Sequence, residues 1–414
     1  MSLDLTQTMK LSNAEGLSVV IPRHLLEERS TVLREYLQYQ EVILSNELVL
    51  LHRFVDILQL KNFLVENDLQ LTSLQNTMDM YRMAKEYRIA DLQERCRNYL
   101  LSNLNQDNVC QMHEFACFEN DRSLQYHCWT MFDNSWDYIL SSDAFTKCEP
   151  ETISRYVSRP MYKTLKELSL FNGILAWATN RYLSQESVQP KASSKVSFIR
   201  KMILPYLPSI RFLSMNEDEL EQVFSKNILT TEEKRYITTT NGVNRNEVNH
   251  NPDIPICPLT LKRTEQCYGL LINYENRYKS DHKIDTYADE YTEFLCVFTP
   301  LEDCFLTHVI LPVINTNAVN IDNVVVSIVL VACGKRLRKQ VLYTASIFGE
   351  ILIEPPLFLH KNQAVLVRSK TLPSVDIMIF NTQLYINCQR SETGMEIKHL
   401  NNRRRFYMKI RVYF

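Results

Sequence analysis

Residues 73–132 constrain the fold most, because apolar residues recur there every three or four positions with hardly a helix breaker between them. Leu74, Met78 and Tyr81 show this spacing at the start of the segment, and polar side chains occupy the other side. The same pattern restarts three times further along the chain. The second of these restarts follows a polar gap at residues 102–107. This is the period of amphipathic α-helices. We therefore predict four helices, whose apolar stripes can be buried only against one another or against a sheet.

The C-terminal part of the chain follows a different period. In residues 406–414 every second residue is apolar, with Lys409 and Arg411 between them, as in a strand with one solvent-exposed face. Further β-branched runs occupy residues 306–311, 324–331, 364–368 and 375–380. Several short strands with almost no helical pattern among them predict a β-sandwich. The Asn-rich segment before it, residues 241–258, holds three prolines and is predicted to be a linker with little to bury.

The composition is that of an ordinary soluble protein with two to three domains. The 414 residues are 45% hydrophobic and 23% charged, and the longest apolar runs are shorter than the roughly 18 residues that a membrane span needs. No basic-then-apolar leader is recognisable at the N-terminus. The formal net charge of −2 favours neither a nucleic acid nor a membrane as partner. Arg403, Arg404 and Arg405 are interpreted as a charged turn before the last strand rather than a nucleic-acid contact.

The eleven cysteines contain no C-x-x-C pair, so the sequence predicts neither a disulfide framework nor a zinc finger. Cys96 and Cys128 lie on apolar helix faces, where a reduced cysteine acts as a small hydrophobe. This pattern favours a reducing compartment, the cytoplasm, with the nucleus left open. Cys110, His113 and Cys117 are the best metal candidate, but a packed helix face is the preferred interpretation because no fourth ligand is apparent. We expect no metal and no cofactor.

Seven glycines are few against the roughly 29 that average usage predicts for this length. Phosphate-binding loops, dinucleotide fingerprints and propeller blades all need glycines that this chain lacks. No glycine-containing elbow accompanies any cysteine and histidine pair that could act as a nucleophile and its base. We therefore expect a protein that is not an enzyme.

The helical segment also resembles a known family in the order of its residues. Residues 80–87, with the sequence Met-Tyr-Arg-Met-Ala-Lys-Glu-Tyr, are followed by apolar residues in helical register and then by an Asn-Val-Cys triplet: Leu92, Cys96, Leu100, Asn108, Val109 and Cys110. This order resembles the end of a BTB domain that passes into a BACK domain. The chain is similar in this respect to the BTB-BACK-PHR group of ubiquitin-ligase adaptors.

Other segments extend the resemblance. From residue 17 onward the chain resembles a BTB domain aligned on Leu26 and Ser30, with Pro22 where that family often has a histidine. Residues 68–71 resemble the short strand before the last BTB helices. Three segments, residues 158–160, 210–215 and 228–230, resemble turns of a BACK domain, and the Phe-Gly-Glu sequence at residues 348–350 resembles a PHR domain.

The resemblance implies a multidomain α+β fold. It places a BTB/POZ α/β domain at residues 15–103 and an all-α BACK helical domain at residues 105–232. A linker at residues 233–258 would lead to a PHR-like antiparallel β-sandwich at residues 259–414.

The function that the resemblance implies is that of a substrate-recruiting adaptor of a cullin-3 RING ubiquitin ligase. In such adaptors a hydrophobic residue, any residue and a glutamate dock cullin-3, and Tyr39 and Glu41 are the matching positions here. Asp79, Arg82 and Glu86 on the late BTB helices are further candidate contacts. The sandwich would bind the protein substrate, and the BTB domain would form a homo-oligomer. The alternative is a homodimeric BTB protein-interaction scaffold that engages no cullin.

Overall fold

A computed structural model of the chain divides into two compact units, Met1–Phe132 and Asp133–Phe414. The structure describes most of the chain, in these ranges: 8–39, 42, 46–159, 162, 164–186, 195–240, 253–260, 262–263, 284–288, 292–300, 303–311, 313–315, 317, 319–371, 374–380, 395–397, 406–407 and 409–413. Both helices and sheets are present, so the fold is α+β as predicted. Among these residues no helix is long and apolar enough to cross a membrane.

The first unit contains a three-stranded sheet made of β1 (Thr8–Ser12), β2 (Ser18–Pro22) and β3 (Glu47–Val49). Strand β1 lies in the middle, antiparallel to β2 and parallel to β3. Met9 and Leu11 are fully buried while Lys10 between them is exposed, because alternate side chains of a strand point to opposite faces. Strand β2 begins one residue after residue 17, from which the chain resembles a BTB domain.

The helices of the first unit are, in sequence order, α1 (Arg23–Arg29), α2 (Thr31–Tyr36), α3 (Phe54–Glu66), α4 (Leu74–Glu86), α5 (Ala90–Ser102), α6 (Val109–Phe118) and the first part of α7 (Arg122–Ser141). Ser73 caps α4, since its hydroxyl accepts a hydrogen bond from the backbone N–H of Asn76, a group that the helix leaves without a partner. Arg88, with φ of 53°, separates α4 from α5. The four predicted helices of residues 73–132 are confirmed.

The prediction of a short strand at residues 68–71 is wrong, since this segment belongs to no sheet. The side-chain amide of Gln59 donates a hydrogen bond to the carbonyl oxygen of Gln70 at 2.9 Å. A side chain on α3 thus satisfies a backbone group that a neighbouring strand would satisfy in a sheet. The chain crosses extended, without a ladder, from α3 to α4.

The second unit continues with helices: α8 (Asp143–Thr146), α9 (Pro150–Ser158), α10 (Glu167–Glu186), α11 (Lys195–Ile203), α12 (Glu217–Ser225) and α13 (Thr231–Thr240). Two 3₁₀ turns, Leu204–Ser209 and Phe212–Ser214, connect α11 to α12. Asn216 and Glu219 form a reciprocal capping box that begins α12, as sequence spacing of this kind predicts. Helix α10 buries Phe171 and Trp177.

Twelve described strands follow: β4 (Ile284–Ala288), β5 (Thr292–Pro300), β6 (Cys304–Ile310), β7 (Val313–Asn315), β8 (Ile321–Leu330), β9 (Arg336–Ala345), β10 (Glu350–Leu359), β11 (Val365–Thr371), β12 (Ser374–Phe380), β13 (Met395–Ile397), β14 (Phe406–Tyr407) and β15 (Lys409–Tyr413). The largest sheet has the order β13-β5-β11-β8-β9, with β14 also paired to β5. Smaller sheets have the orders β10-β6-β15 and β4-β12-β7. The predicted β-rich C-terminal part is confirmed at the level of its strands.

The core of this β part draws on alternate residues of several strands. Val324, Val326 and Ile328 of β8 pack with Val367 of β11 in one buried cluster. Ile410 in the last strand is also buried there, as the period of two predicted. Burial of these side chains is the main stabilising contribution, about 25 cal/mol for each Å² of apolar surface removed from water.

The end of the predicted linker is buried, which the sequence pattern did not indicate. Ile256 and Cys257 are 2% and 5% exposed, so this part of the segment is not a free tether. Just beyond it, the guanidinium of Arg263 lies in the helical part of the unit, with Nε 2.8 Å from Glu167 Oε1. Of the linker that the resemblance places at residues 233–258, residues 233–240 belong to helix α13, and residues 241–252 lie outside the described residues.

A second buried ion pair lies in the same unit. Arg159 contacts Asp133 through two hydrogen bonds, of 3.0 and 3.2 Å, and the hydroxyl of Tyr413 donates to the same carboxylate. The guanidinium carbon of Arg159 is 5.0 Å from the centre of the Tyr413 ring. Strand β15 is thereby joined to the helices of its own unit by contacts between residues 280 positions apart.

Candidate protein-interaction surface

Two of the predicted partner-binding residues contact each other on the outer side of α4. Asp79 Oδ1 lies 3.2 Å from Arg82 Nη1, one helical turn away. Asp79 Oδ2 also lies 2.8 Å from Arg53 Nη2. Residues three apart on a helix share a face, so the pattern that made them candidates also explains why they meet.

The inner side of α4 is held in place by buried polar contacts. The hydroxyl of Tyr81 donates to Asp121 Oδ2 at 2.6 Å, and Gln93 donates to the same hydroxyl at 2.8 Å. Burial raises the pKa of Tyr81, because the charged form loses its hydration. The helix therefore presents its outer side from a fixed position.

Glu119, directly after α6, fixes two cations of α4. Its Oε1 is 3.0 Å from Arg82 Nε, and its Oε2 is 2.9 Å from Lys85 Nζ. Lys85 Nζ also donates to the backbone carbonyl of Glu119 at 2.7 Å. Glu119 is only 7% exposed, and a carboxylate so far from water needs such partners. The charges on this side of α4 are consequently matched before any partner binds.

Phe118 lies beside this charged group and is 79% exposed. The guanidinium carbon of Arg82 is 5.9 Å from the centre of its ring and 5.2 Å from that of Phe115, within the range of cation–π attraction. We call Asp79, Arg82, Lys85 and Phe118 the α4–α6 surface. An exposed aromatic ring next to paired charges is typical of an interface anchor.

Sequence reasoning missed Phe118, although a signal for it exists. Gln111, Glu114 and Phe118 recur at steps of three and four on α6. They lie away from the buried stripe that contains Met112 and Ala116. An aromatic residue in register with the polar face of an amphipathic helix is the pattern that would have identified it.

The contacts described for Glu86 and Tyr39 involve neither Asp79 nor Arg82. Glu86 Oε2 is 3.1 Å from His52 Nε2. Tyr39 is 62% exposed and its ring centre is 6.2 Å from that of Tyr36. Glu41 lies outside the described residues. The partner-binding role of all five residues stays a prediction.

The metal candidate of the sequence is a packed helix face in the structure. His113 is buried, with its ring centre 4.7 Å from that of Trp129 and 5.6 Å from that of Phe132. Cys117 Sγ lies 3.7 Å from His113 Nε2. Within the described ranges, no three His, Cys, Asp or Glu side chains are grouped so that they could hold a metal ion.

The thiols should react with iodoacetamide at very different rates. Burial raises the pKa of Cys96 and of Cys304 to about 12, whereas Cys333 is exposed. At pH 8 the thiolate fraction of a group with a pKa near 12 is roughly a thousandfold below that of an ordinary thiol. We expect mass spectrometry to find Cys333 alkylated long before Cys96 or Cys304. Labelling of a buried thiol faster than Cys333 would contradict this and would favour an activated cysteine.

Comparison with known proteins gives partial similarities. No family model matches the chain. The human BTB/POZ domain-containing protein 3 is 27% identical over 95 residues, which are 23% of this chain and 18% of that protein. The BTB/POZ domain-containing protein 6 of Xenopus tropicalis is 28% identical over 155 residues, 37% of this chain and 28% of that protein. The chain thus spans less than a third of either relative. These similarities support a BTB domain and, with it, a role in protein interaction.

Proposed function

We propose that this chain is a substrate-recruiting adaptor of a cullin-3 RING ubiquitin ligase, acting in the cytoplasm and without an active site of its own. The similarity to BTB domains supports the interaction role, and the resemblance of the helical segment to BTB-BACK-PHR adaptors supports the choice of cullin-3. The observation that carries the proposal is the exposed ring of Phe118 beside Arg82 on the α4–α6 surface.

The α4–α6 surface has the physical properties of a binding site. Arg82 and Lys85 are already held by Glu119, so binding would cost little of the side-chain entropy that free long side chains lose. Phe118 offers an apolar ring that leaves water when a partner covers it. Charged pairs around an apolar anchor also select against partners that would leave them unpaired.

The mechanism that follows is proximity. The adaptor would hold cullin-3 through its BTB part and the following helices, and a protein substrate through its β part. Catalysis belongs to the RING and conjugating subunits, and the adaptor raises the local concentration of the substrate's lysines near them. No residue of the chain takes part in the transfer of ubiquitin in this scheme.

Phe118→Asp should weaken binding to the N-terminal half of cullin-3 by at least roughly thirtyfold, the effect of losing an interface hot spot. Isothermal titration calorimetry with the full-length chain measures this directly. Leu51→Asp is the matched control, because Leu51 is 84% exposed in the same unit and receives the same new charge. The control should bind as the parent does.

The other outcomes are informative. If both variants bind as tightly as the parent, cullin-3 binding holds but the α4–α6 surface is the wrong site. If the parent itself does not bind, the adaptor function is wrong. A dimer seen by analytical ultracentrifugation in that case would support the homodimeric scaffold, which the BTB relatives also fit.

A further inference from the structure

Helix α3 carries a second group of apolar residues on its exposed side. The side that packs into the unit consists of Asp56, Ile57, Leu60, Phe63 and Leu64. On the opposite side Val55, Leu58 and Val65 are 49%, 37% and 41% exposed. A surface helix usually buries its apolar stripe and turns polar residues to water. The fold of the unit therefore does not account for the apolar residues on the outer side of α3.

The spacing of these residues is that of a coiled-coil seam. Val55, Leu58, Asn62 and Val65, which we call the α3 seam, are separated by three, four and three positions. They occupy positions a, d, a and d of a heptad repeat and cover about 80° of the helix surface. Valine at a followed by leucine at d is a combination that favours two parallel helices. The α3 seam thus has the width and residue types that suit one partner helix.

Asn62 interrupts the apolar residues at the second a position and is partly exposed. A single asparagine at an a position costs stability in a coiled coil but fixes its register and the number of helices. The amide does so because it needs a hydrogen-bonding partner once water is excluded. In a parallel pair in register, that partner is the equivalent amide of the other helix.

Lys61 and Glu66 lie on the two sides of the α3 seam. Lys61 occupies a g position and Glu66 the e position of the next heptad. In a parallel pair these two positions of different helices are neighbours, and opposite charges there set the partner and the orientation. Neither residue forms an ion pair within the part of the chain that the structure describes. Both charges are thus available for contacts with a second helix.

We propose that two copies of this chain associate through the α3 seam, with the two α3 helices parallel. A twofold axis lets one surface patch serve both subunits. The second copy then supplies apolar residues opposite the seam, an amide opposite Asn62, and opposite charges for Lys61 and Glu66. In an antiparallel pair, by contrast, each of these charges would face its own equivalent. The inference goes beyond the proposed function, since it needs no cullin-3 and uses none of the α4–α6 surface.

The short length of the α3 seam sets the strength of the association. Helix α3 has 13 residues, a length of about 20 Å. Isolated helices this short are marginal in water, but α3 is already folded against its unit, so that association costs no helix formation. We expect a dimer with a dissociation constant on the order of 10 μM.

Sedimentation velocity of the full-length chain, from about 1 to 200 μM, measures this association. Leu58→Asp should weaken it at least roughly tenfold, because a charge replaces an apolar group in the middle of the seam. Val20→Asp is the matched control: Val20 lies on β2 of the same unit, is 58% exposed and receives the same charge. The control should associate as the parent does.

The flanking charges test the parallel orientation. Lys61→Glu should weaken self-association roughly fivefold, because two like charges then face each other on each side of the seam. Glu66→Lys should have the same effect. The double variant with both changes restores opposite charges and should associate within about twofold of the parent. These variants keep the test open if Leu58→Asp does not fold, and circular dichroism checks the folding of each.

A parent that stays monomeric over the whole concentration range would overturn the proposal. So would a dimer that Leu58→Asp leaves unchanged, or one that Val20→Asp disrupts instead, which would place the interface on the sheet. A double variant no better than Lys61→Glu would contradict the parallel pairing. Because no cullin-3 is present, these results are independent of the calorimetric test of the proposed function.

Discussion

Arg263→Ala should lower the free energy of unfolding of the second unit by about 3–5 kcal/mol, the usual effect of breaking a buried ion pair from one side. Arg263 is 3% exposed. Besides the pair with Glu167, its Nη1 donates to the carbonyl oxygens of Val157 and Arg159 at 2.7 and 2.8 Å, and Nη2 donates to that of Ser209. Alanine would leave a buried carboxylate, two buried carbonyls and a partly buried one without this donor.

Guanidinium titration followed by tryptophan fluorescence measures the effect, since Trp136 and Trp177 both lie in this unit and are buried. Lys262→Ala is the control: Lys262 is the exposed neighbour of Arg263, and its replacement should change the free energy of unfolding by no more than about 0.5 kcal/mol. Arg263→Lys should fall between the two, because one ammonium cannot reach all the acceptors of a guanidinium. Equal stability of Arg263→Ala and Lys262→Ala would show that the buried pair contributes nothing.

Gly349→Ala should destabilise the same unit by about 2–4 kcal/mol, through backbone strain and overpacking together. Gly349 has φ of 75°, a left-handed conformation that L-residues adopt at a cost. A Cβ at this position would lie 2.5 Å from the carbonyl oxygen of Leu311 and 2.8 Å from Val313 Cγ2. The backbone cannot yield easily there, since the N–H of Leu311 donates to the carbonyl of Gly349 at 2.9 Å.

Gly334→Ala separates the two contributions. Gly334 has a similar φ of 66°, but nothing lies within 4 Å of the Cβ that alanine would add. It should therefore cost only the strain of the conformation, about 1–2 kcal/mol. Denaturant titrations of both variants compare them directly. If Gly349→Ala lowers the free energy of unfolding no more than Gly334→Ala does, the turn at Gly349 relaxes away from Leu311 without cost.

Local sequence pattern accounts for much of this fold. The four helices of residues 73–132 and the last strand follow from periods of 3.6 and 2, because each element must turn its own apolar side chains in one direction. Residues 68–71 depart from this rule. Their alternation suits a strand, but a strand needs a neighbour to pair with, and here Gln59 takes that place.

The candidate site was predicted only in part for a related reason. Asp79 and Arg82 meet because they are three positions apart on one helix, and this spacing can be seen in the sequence alone. Phe118 joins them from α6 through its contact with Arg82, and no local period encodes which helix packs beside which.

The type of many elements, and the alternation of exposed and buried residues within each of them, are thus readable from the amino-acid sequence. The burial of Arg263 and Arg159 is not, since arginine side chains are mostly exposed in proteins, as that of Arg368 is here. The difference arises because a guanidinium enters the interior only where carboxylates and carbonyls from distant segments converge on it. Glu167 and Asp133 supply that convergence for the first two, and it is a property of the assembled fold.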